Sequence, residues 1–143
     1  MARAVAKERR RRVAGVMSNV ILVLIILVSG TASQYAPGVM ESVIAYRQTH
    51  ATAYAPPNTL PTVDGFIAAP DCADLGETWY LRHNGVVESF LVVDCAGDAV
   101  TREWMLRGGI IAEVDGETAR RWGVVGVGAR VERVEYREVV GYE

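Results

Sequence analysis

The most informative segment of the chain is Val86-Val87-Glu88-Ser89-Phe90-Leu91-Val92-Val93-Asp94-Cys95. Its valines and the apolar run Phe90-Leu91-Val92-Val93 predict a strand, and the strand ends in an aspartate. Further along, residues 110–114 form a second strand-like segment that leads into Asp115, a candidate helix N-cap. Residues 116–122 then predict a short helix, which Gly123 ends. These two segments therefore predict β structure with one short helix.

Other strand signals lie on both sides of that segment. Residues 65–69, 78–82 and 129–140 also read as strands, and Asn84-Gly85 predicts a tight hairpin because both residues tolerate positive φ. Residues 101–106 are ambiguous. Short strands, frequent glycines and a single predicted helix favour a mainly β fold. We expect a small closed barrel over residues 63–143, which would also remove exposed strand edges.

The charge of the chain is distributed unevenly before this domain. Residues 1–12 carry six basic residues and one acidic residue, or +5, so the remainder carries 9 − 16 = −7. No charged residue occurs between Val13 and Met40. At about 1.5 Å per residue, a helix over residues 13–30 would be roughly 27 Å long, close to the hydrocarbon thickness of a bilayer. The preceding basic tail predicts a single-pass membrane protein with a cytoplasmic N-terminus and an external barrel.

Cleavage of a signal peptide is the competing interpretation of the apolar segment. Gly30-Thr31-Ala32 offers small residues at the spacing that a signal peptidase requires, and the domain would then be secreted. Residues 31–62 are predicted to be a connector with a short helix over residues 39–50. A basic tail beside an apolar span more often sets topology than binds nucleic acid, so we expect no nucleic-acid partner.

Cys72 and Cys95 both fall in the part expected to be exported, where cysteines usually pair, so we predict a disulfide between them. A metal site built from these cysteines with His50 and His83 lacks the close ligand pairs of zinc sites, and we expect neither a metal nor a cofactor. The Gly-x-Ser-x-Gly motif of serine hydrolases is absent from the sequence, and neither cysteine has a convincing histidine partner.

The tryptophans are candidates for the core or for sugar stacking. Trp122 lies on the predicted helix and is assigned to the core, as is Trp79. Trp104 lies in the ambiguous stretch, and we expect it to be partly exposed near a groove, where it would contact substrate.

The order of these segments resembles the rare-lipoprotein-A-like double-psi β-barrel domain, a relative of the barwin and expansin barrels. The resemblance covers residues 66–134. Its members share an ordered set of short motifs, matched here by Ile67-Ala68-Ala69, Leu75-Gly76-Glu77, residues 78–81, Asn84-Gly85, residues 90–94, residues 110–115 and Ala119-Arg120-Arg121-Trp122-Gly123. The resemblance implies a six-stranded barrel.

The resemblance also implies peptidoglycan as the ligand. Some members are lytic transglycosylases, in which the aspartate matching Asp94 is the acid/base group, and related barrels bind walls without hydrolysis. This chain departs from the pattern in three places: Pro70 replaces a histidine, Cys95-Ala96-Gly97 replaces Arg-Gly-Pro, and Glu113 replaces an aspartate. We take Asp94 and Glu113 as candidate catalytic residues.

Asp71 and Asp74 are candidates to replace the missing histidine. We take them, together with Trp104, as candidate substrate-binding residues. Asp94 and Glu113 also have a structural interpretation, in which they accept hydrogen bonds that hold the barrel.

Two functions follow. The first is a membrane-tethered barrel that binds peptidoglycan glycan and cleaves it weakly. The second is a non-enzymatic barrel that docks another envelope protein as a subunit of a membrane complex.

Overall fold

The computed structural model describes residues 21–50 and 52–140. The described residues divide between two units, one within residues 27–134 and the other made of residues 21–26 and 135–140. The described residues form the following strands and helices, in chain order: β1 (Ile21–Gln34), α1 (Val39–Thr49), β2 (Gly65–Ala69), a 3-10 turn (Cys72–Asp74), β3 (Thr78–His83), β4 (Val86–Cys95), α2 (Ala99–Arg107), β5 (Ile110–Val114), α3 (Gly116–Trp122) and β6 (Ala129–Val140).

The six strands form a closed mixed barrel in the order β1-β5-β2-β4-β3-β6. The pairs β1/β5 and β2/β4 are parallel, whereas β2/β5, β3/β4 and β3/β6 are antiparallel. This cyclic order is unchanged when β1 is exchanged with β4, β2 with β5 and β3 with β6. The same exchange maps the parallel pair β1/β5 onto the parallel pair β2/β4. The expected small closed β-barrel is therefore confirmed, and its two halves, β1–β3 and β4–β6, occupy equivalent positions in the strand order.

Local chemistry explains several element boundaries. Asn84 and Gly85 adopt φ values of 48° and 79°, as a tight hairpin turn between β3 and β4 requires. The Asp115 side chain accepts a hydrogen bond of 2.8 Å from the backbone N–H of Thr118 and so caps α3. Gly123 ends α3 in the left-handed conformation, with φ of 72°. The predicted hairpin and the bounds of α3 are thus confirmed.

Two predictions of secondary structure were wrong. The sequence predicted one helix in the barrel domain, but the ambiguous residues 101–106 belong to α2, which Asp98 caps by accepting from the backbone N–H of Thr101 at 2.7 Å. The predicted membrane helix over residues 13–30 was wrong for residues 21–30, which belong to β1. A short continuous apolar run rich in Ile and Val fits a strand as well as a helix.

Residues 13–20 lie outside the described residues. In the part of the chain that the structure describes, no helix is long and apolar enough to cross a membrane. Both β1 and α1 precede residue 63, where the sequence predicted an anchor and a connector.

Apolar side chains form two clusters in the body of residues 27–134. The first cluster fills the barrel, and its buried members are Ala32, Ile67, Ala69, Trp79, Leu81, Phe90, Val92, Ala112, Val114, Ala119, Ala129 and Val131. The second joins Met40 and Ile44 of α1 to Leu91 and Val93 of β4. Since Val92 faces the first cluster and its neighbours face the second, α1 packs against the outer face of β4. This contact brings the C-terminal turn of α1 close to the end of β4.

Candidate functional site

Four residues align in one row across β1, β5, β2 and β4. Ser33 is the register partner of Glu113, Glu113 of Ala68, and Ala68 of Asp94. The residues that flank the row on β5 and β2, and Ala32 on β1, belong to the cluster inside the barrel. Because successive side chains on a strand point to opposite faces, the row faces away from the barrel interior. Glu113 and Asp94 are therefore two strand spacings apart, or about 10 Å between Cα atoms, with only a methyl group between them.

A β-bulge brings Asp94 into this row. The pairing of β2 with β4 shifts between Ile67 and Ala68, so that Ile67 is opposite Val92 but Ala68 is opposite Asp94. Val93 is the extra residue and packs on the outer cluster. Without the bulge, alternation would turn Asp94 toward the barrel interior with Val92. Bulges re-aim side chains in this way and occur frequently beside active sites.

Two side chains engage the Asp94 carboxylate. The Tyr35 hydroxyl donates a hydrogen bond of 2.7 Å to Oδ2, and Arg47 Nη2 donates one of 2.9 Å to Oδ1. The Arg47 and Asp94 side chains are only 15% and 19% exposed, so solvent screens this ion pair weakly. Burial, together with the hydrogen bond to Asp94, raises the pKa of Tyr35 far above its ordinary value, so this hydroxyl stays protonated and donates.

Glu113 has a different environment from Asp94. Burial raises the pKa of its carboxyl above the ordinary value of 4.5, and the nearby charge of Asp94 raises it further. The Ser33 hydroxyl acts in the opposite direction and lowers the pKa of Glu113. The buried Ser33 Oγ makes no hydrogen bond of good geometry within the described residues, so its interaction with the Glu113 carboxyl is weak. The row thus places a carboxyl with a raised pKa near a carboxylate that is already paired.

An open pocket of about 390 Å3 adjoins Asp94 on the side of α1. Val39, Ser42, Val43, Tyr46, Arg47, Thr52 and Asp94 line it. Helical spacing explains this lining, because Val39, Val43 and Tyr46 recur at the intervals that form one stripe along α1. The pocket is therefore a mainly apolar surface with an ion pair at one side.

The structure gives Asp71 and Asp74 other surroundings. Asp71 caps the 3-10 turn by accepting a hydrogen bond of 2.9 Å from the backbone N–H of Ala73. Partial burial raises the pKa of Asp74, and the charge of Glu77 raises it further. Neither aspartate lines the pocket beside Asp94. Their predicted contact with substrate stays a prediction.

Trp104 lies on α2 and is 58% exposed, which agrees with the expected exposure, but it does not line this pocket. Trp79 is buried, as expected, and Trp122 is half-buried against the barrel cluster. The predicted disulfide between Cys72 and Cys95 is confirmed, with 5.0 Å between the two Cα atoms. It ties the 3-10 turn to the residue that follows Asp94.

Sequence reasoning missed Ser33, Tyr35 and Arg47. Arg47 had a detectable signal, because Met40, Ile44 and Arg47 share the buried side of α1 at helical spacing. An arginine on such a face usually has a carboxylate partner. Ser33 and Tyr35 carried no comparable signal, since their roles depend on which strands pair with β5 and which residue the bulge re-aims.

No group of three or more His, Cys, Asp or Glu side chains within residues 21–50 and 52–140 is arranged to hold a metal ion. In comparisons with known proteins, no protein-family model, no curated protein and no solved structure matches this chain.

Proposed function

We propose that this chain is a double-psi β-barrel of the rare-lipoprotein-A-like kind that binds peptidoglycan glycan and cleaves it as a lytic transglycosylase. One observation carries the proposal: Glu113 and Asp94 share an outward-facing row, and an open pocket adjoins Asp94. Two carboxyl groups with different environments are the arrangement that glycoside cleavage uses.

The finer fold assignment rests on topology. Two parallel strand pairs, β1/β5 and β2/β4, exchange when the halves of the barrel are exchanged. This internal symmetry supports a double-psi barrel over barrels built from consecutive antiparallel hairpins.

The geometry favours Glu113 as the proton donor. A general acid must hold its proton near the working pH, and burial raises the pKa of Glu113. Both Asp94 oxygens already accept hydrogen bonds, from Tyr35 and Arg47, so Asp94 is less suited to deliver a proton. Asp94 is then the positioning residue, whose charge adds to the effect of burial in raising the pKa of Glu113. The resemblance gives the acid/base role to the position of Asp94, and this assignment shifts that role to Glu113.

In the proposed reaction Glu113 acts as both acid and base, and Asp94 takes no part in the proton transfers. Glu113 gives its proton to the bridging oxygen as the bond from that oxygen to C1 breaks. The C6 hydroxyl of the same sugar then bonds to C1 and returns its proton to the Glu113 carboxylate. No water is consumed, and the product carries a 1,6-anhydro ring. The negative charge of the Glu113 carboxylate stabilises the oxocarbenium-like transition state.

The proposed location is outside the cytoplasm. The Cys72–Cys95 disulfide supports it, because such bonds persist in oxidising compartments. Attachment of the chain to a membrane, or its release after signal cleavage, stays a prediction.

Incubation of the full chain with peptidoglycan sacculi, and with glycan strands stripped of peptides, tests the function. Pelleting reports binding, and mass spectrometry detects anhydro sugars. We expect Glu113→Gln to abolish product but retain pelleting. Asp94→Asn should lower the rate and move its pH optimum down, because a charge that raises the pKa of Glu113 is lost. The exposed Glu117→Gln is the matched control and should behave as wild type.

Pelleting without product would contradict catalysis and leave a wall-binding module. If neither signal appears, the second candidate, a barrel that docks an envelope protein, becomes the better proposal. The observation that favours it is the exposure of Val100, Trp104 and Leu106 on α2, at 78%, 58% and 63%. Exposed apolar side chains at this density are typical of surfaces that contact other proteins.

A further inference from the structure

We propose that the pocket beside Asp94 is a subsite for one N-acetylated pyranose ring, with the Tyr46 ring, which His50 stacks against, as its aromatic platform. This inference rests on the proposed function, since it names the part of the glycan that the same site would hold. It assigns a role to the C-terminal turn of α1, which the proposed chemistry at Glu113 does not use.

The ring pair is held in a defined geometry at the end of α1. The centroids of the Tyr46 and His50 rings are 3.9 Å apart, and the ring planes differ by 16°. His50 Nδ1 lies 2.9 Å from the carbonyl oxygen of Tyr46 and 3.0 Å from Thr49 Oγ1, and these contacts orient the imidazole. Such ordering reduces the conformational entropy that a ligand must remove on binding.

Tyr46 is accessible although it is stacked. It is 57% exposed and at the same time lines the pocket, so its ring offers surface to a ligand. An exposed aromatic ring that is already oriented is the kind of surface on which the C–H-rich face of a sugar packs, because both surfaces are flat and apolar.

The remaining lining suits the substituents of an N-acetylated sugar. Val39 and Val43 continue the apolar stripe of Tyr46, where an acetamido methyl group can lie. Ser42 and Thr52 contribute hydroxyls that donate to or accept from the hydroxyls of a sugar. The volume of about 390 Å3 lies at the lower end of the range for small-ligand pockets, as expected for one sugar ring with its substituent.

The charges of the pocket favour a neutral ring over an anion. Arg47 is the cation of the lining, and its guanidinium is engaged by Asp94 at 2.9 Å. An anionic group placed there would face the carboxylate as well as the guanidinium, so the pair attracts it little. The pair also adjoins the row that holds Glu113, so a ring bound in the pocket would place the next glycosidic bond along the glycan toward the carboxyl groups.

Binding of an N-acetylglucosamine tetrasaccharide to the full chain tests this subsite, measured by calorimetry and by saturation-transfer NMR. We expect Tyr46→Ala to weaken the affinity at least about fivefold, the scale of an aromatic contact. Tyr46→Phe keeps the ring and should stay within about twofold of wild type. Tyr136→Ala is the matched control, because Tyr136 is exposed to nearly the same extent, 54%, and does not line the pocket.

Three results would overturn the subsite: no binding by the wild-type chain, wild-type affinity in Tyr46→Ala, or an equal loss in Tyr136→Ala. Thermal unfolding shows whether each variant is folded. If Tyr46→Ala is not, the Tyr46→Phe variant is titrated with the sugar, and the chemical shifts of the amide and methyl groups of Val39 and Val43 decide the question. The outcome is separate from that of catalysis. Binding that depends on Tyr46 without anhydro product supports the subsite and contradicts the transglycosylase, whereas product that is insensitive to Tyr46→Ala does the reverse.

Discussion

At the scale of a single residue, Glu113 should reduce the stability of the fold at neutral pH. Its pKa is raised by burial, so the folded chain binds this proton more tightly than the unfolded chain. The contribution of the protonated carboxyl to the free energy of unfolding is fully present below its ordinary pKa of 4.5. That contribution is lost as the pH rises through the raised pKa of the folded chain. We therefore expect Glu113→Gln to be more stable than wild type at pH 7.

Urea unfolding of Glu113→Gln and wild type at pH 4 and pH 7 measures this effect. The difference in the free energy of unfolding should be small at pH 4 and favour the variant at pH 7. Glu117→Gln, which changes an exposed carboxylate in the same way, should show a smaller dependence on pH. A Glu113→Gln variant that is no more stable at pH 7 than at pH 4, relative to wild type, would mean that burial does not perturb this carboxyl. A loss of stability at pH 7 caused by Glu113 would be typical of groups that serve a function.

At the scale of elements, the β3–β4 hairpin depends on backbone conformation at one glycine. Gly85 has φ of 79°, and a Cβ added there would meet no atom within 4 Å. Gly97 also has open space around it, but its φ lies outside the positive range. Comparing Gly85→Ala with Gly97→Ala therefore isolates the cost of the left-handed conformation from that of a steric clash.

We expect Gly85→Ala to lower the free energy of unfolding by about 1 kcal/mol, because an L-residue in this region costs roughly 1–2 kcal/mol. Gly97→Ala should be neutral or stabilise by up to about 1 kcal/mol, since alanine reduces the freedom of the unfolded chain. Chemical denaturation of the two variants gives both numbers. Equal effects in the two variants would show that the turn tolerates another conformation.

Elements with local signals were predicted well, and those without them were not. The hairpin, α3 and the strands β2 and β5 follow from turn residues, a capping aspartate and a glycine stop, all of which act within a few residues. The apolar segment before residue 30 has no such local signals, and its composition alone did not distinguish a strand from a membrane helix. Whether it becomes β1 depends on pairing with β5, which is distant in sequence.

At the scale of the whole molecule, the site is a product of topology. The sequence indicated Asp94 and Glu113 separately, each at a strand position. Their common row requires β2 to lie between β4 and β5, and the outward direction of Asp94 requires a bulge at Val93. No periodicity within one strand contains this information. The partners Tyr35 and Arg47 come from the other half of the barrel, so they could be identified only once the two halves were assembled.

The disulfide should stabilise the molecule as a whole while also holding the end of β4. Cys72 and Cys95 are 23 residues apart, and a crosslink of this loop length removes about 3 kcal/mol of unfolded-chain entropy. We expect the double variant Cys72→Ala/Cys95→Ala to lose roughly that much stability in urea unfolding. A reducing agent should lower the stability of wild type similarly and leave the variant unchanged.

Because Cys95 follows Asp94, the variant should also lose affinity for glycan before it unfolds. If glycan affinity persists under reduction at a urea concentration where the fold is intact, then the Arg47 and Tyr35 contacts hold Asp94 without the crosslink.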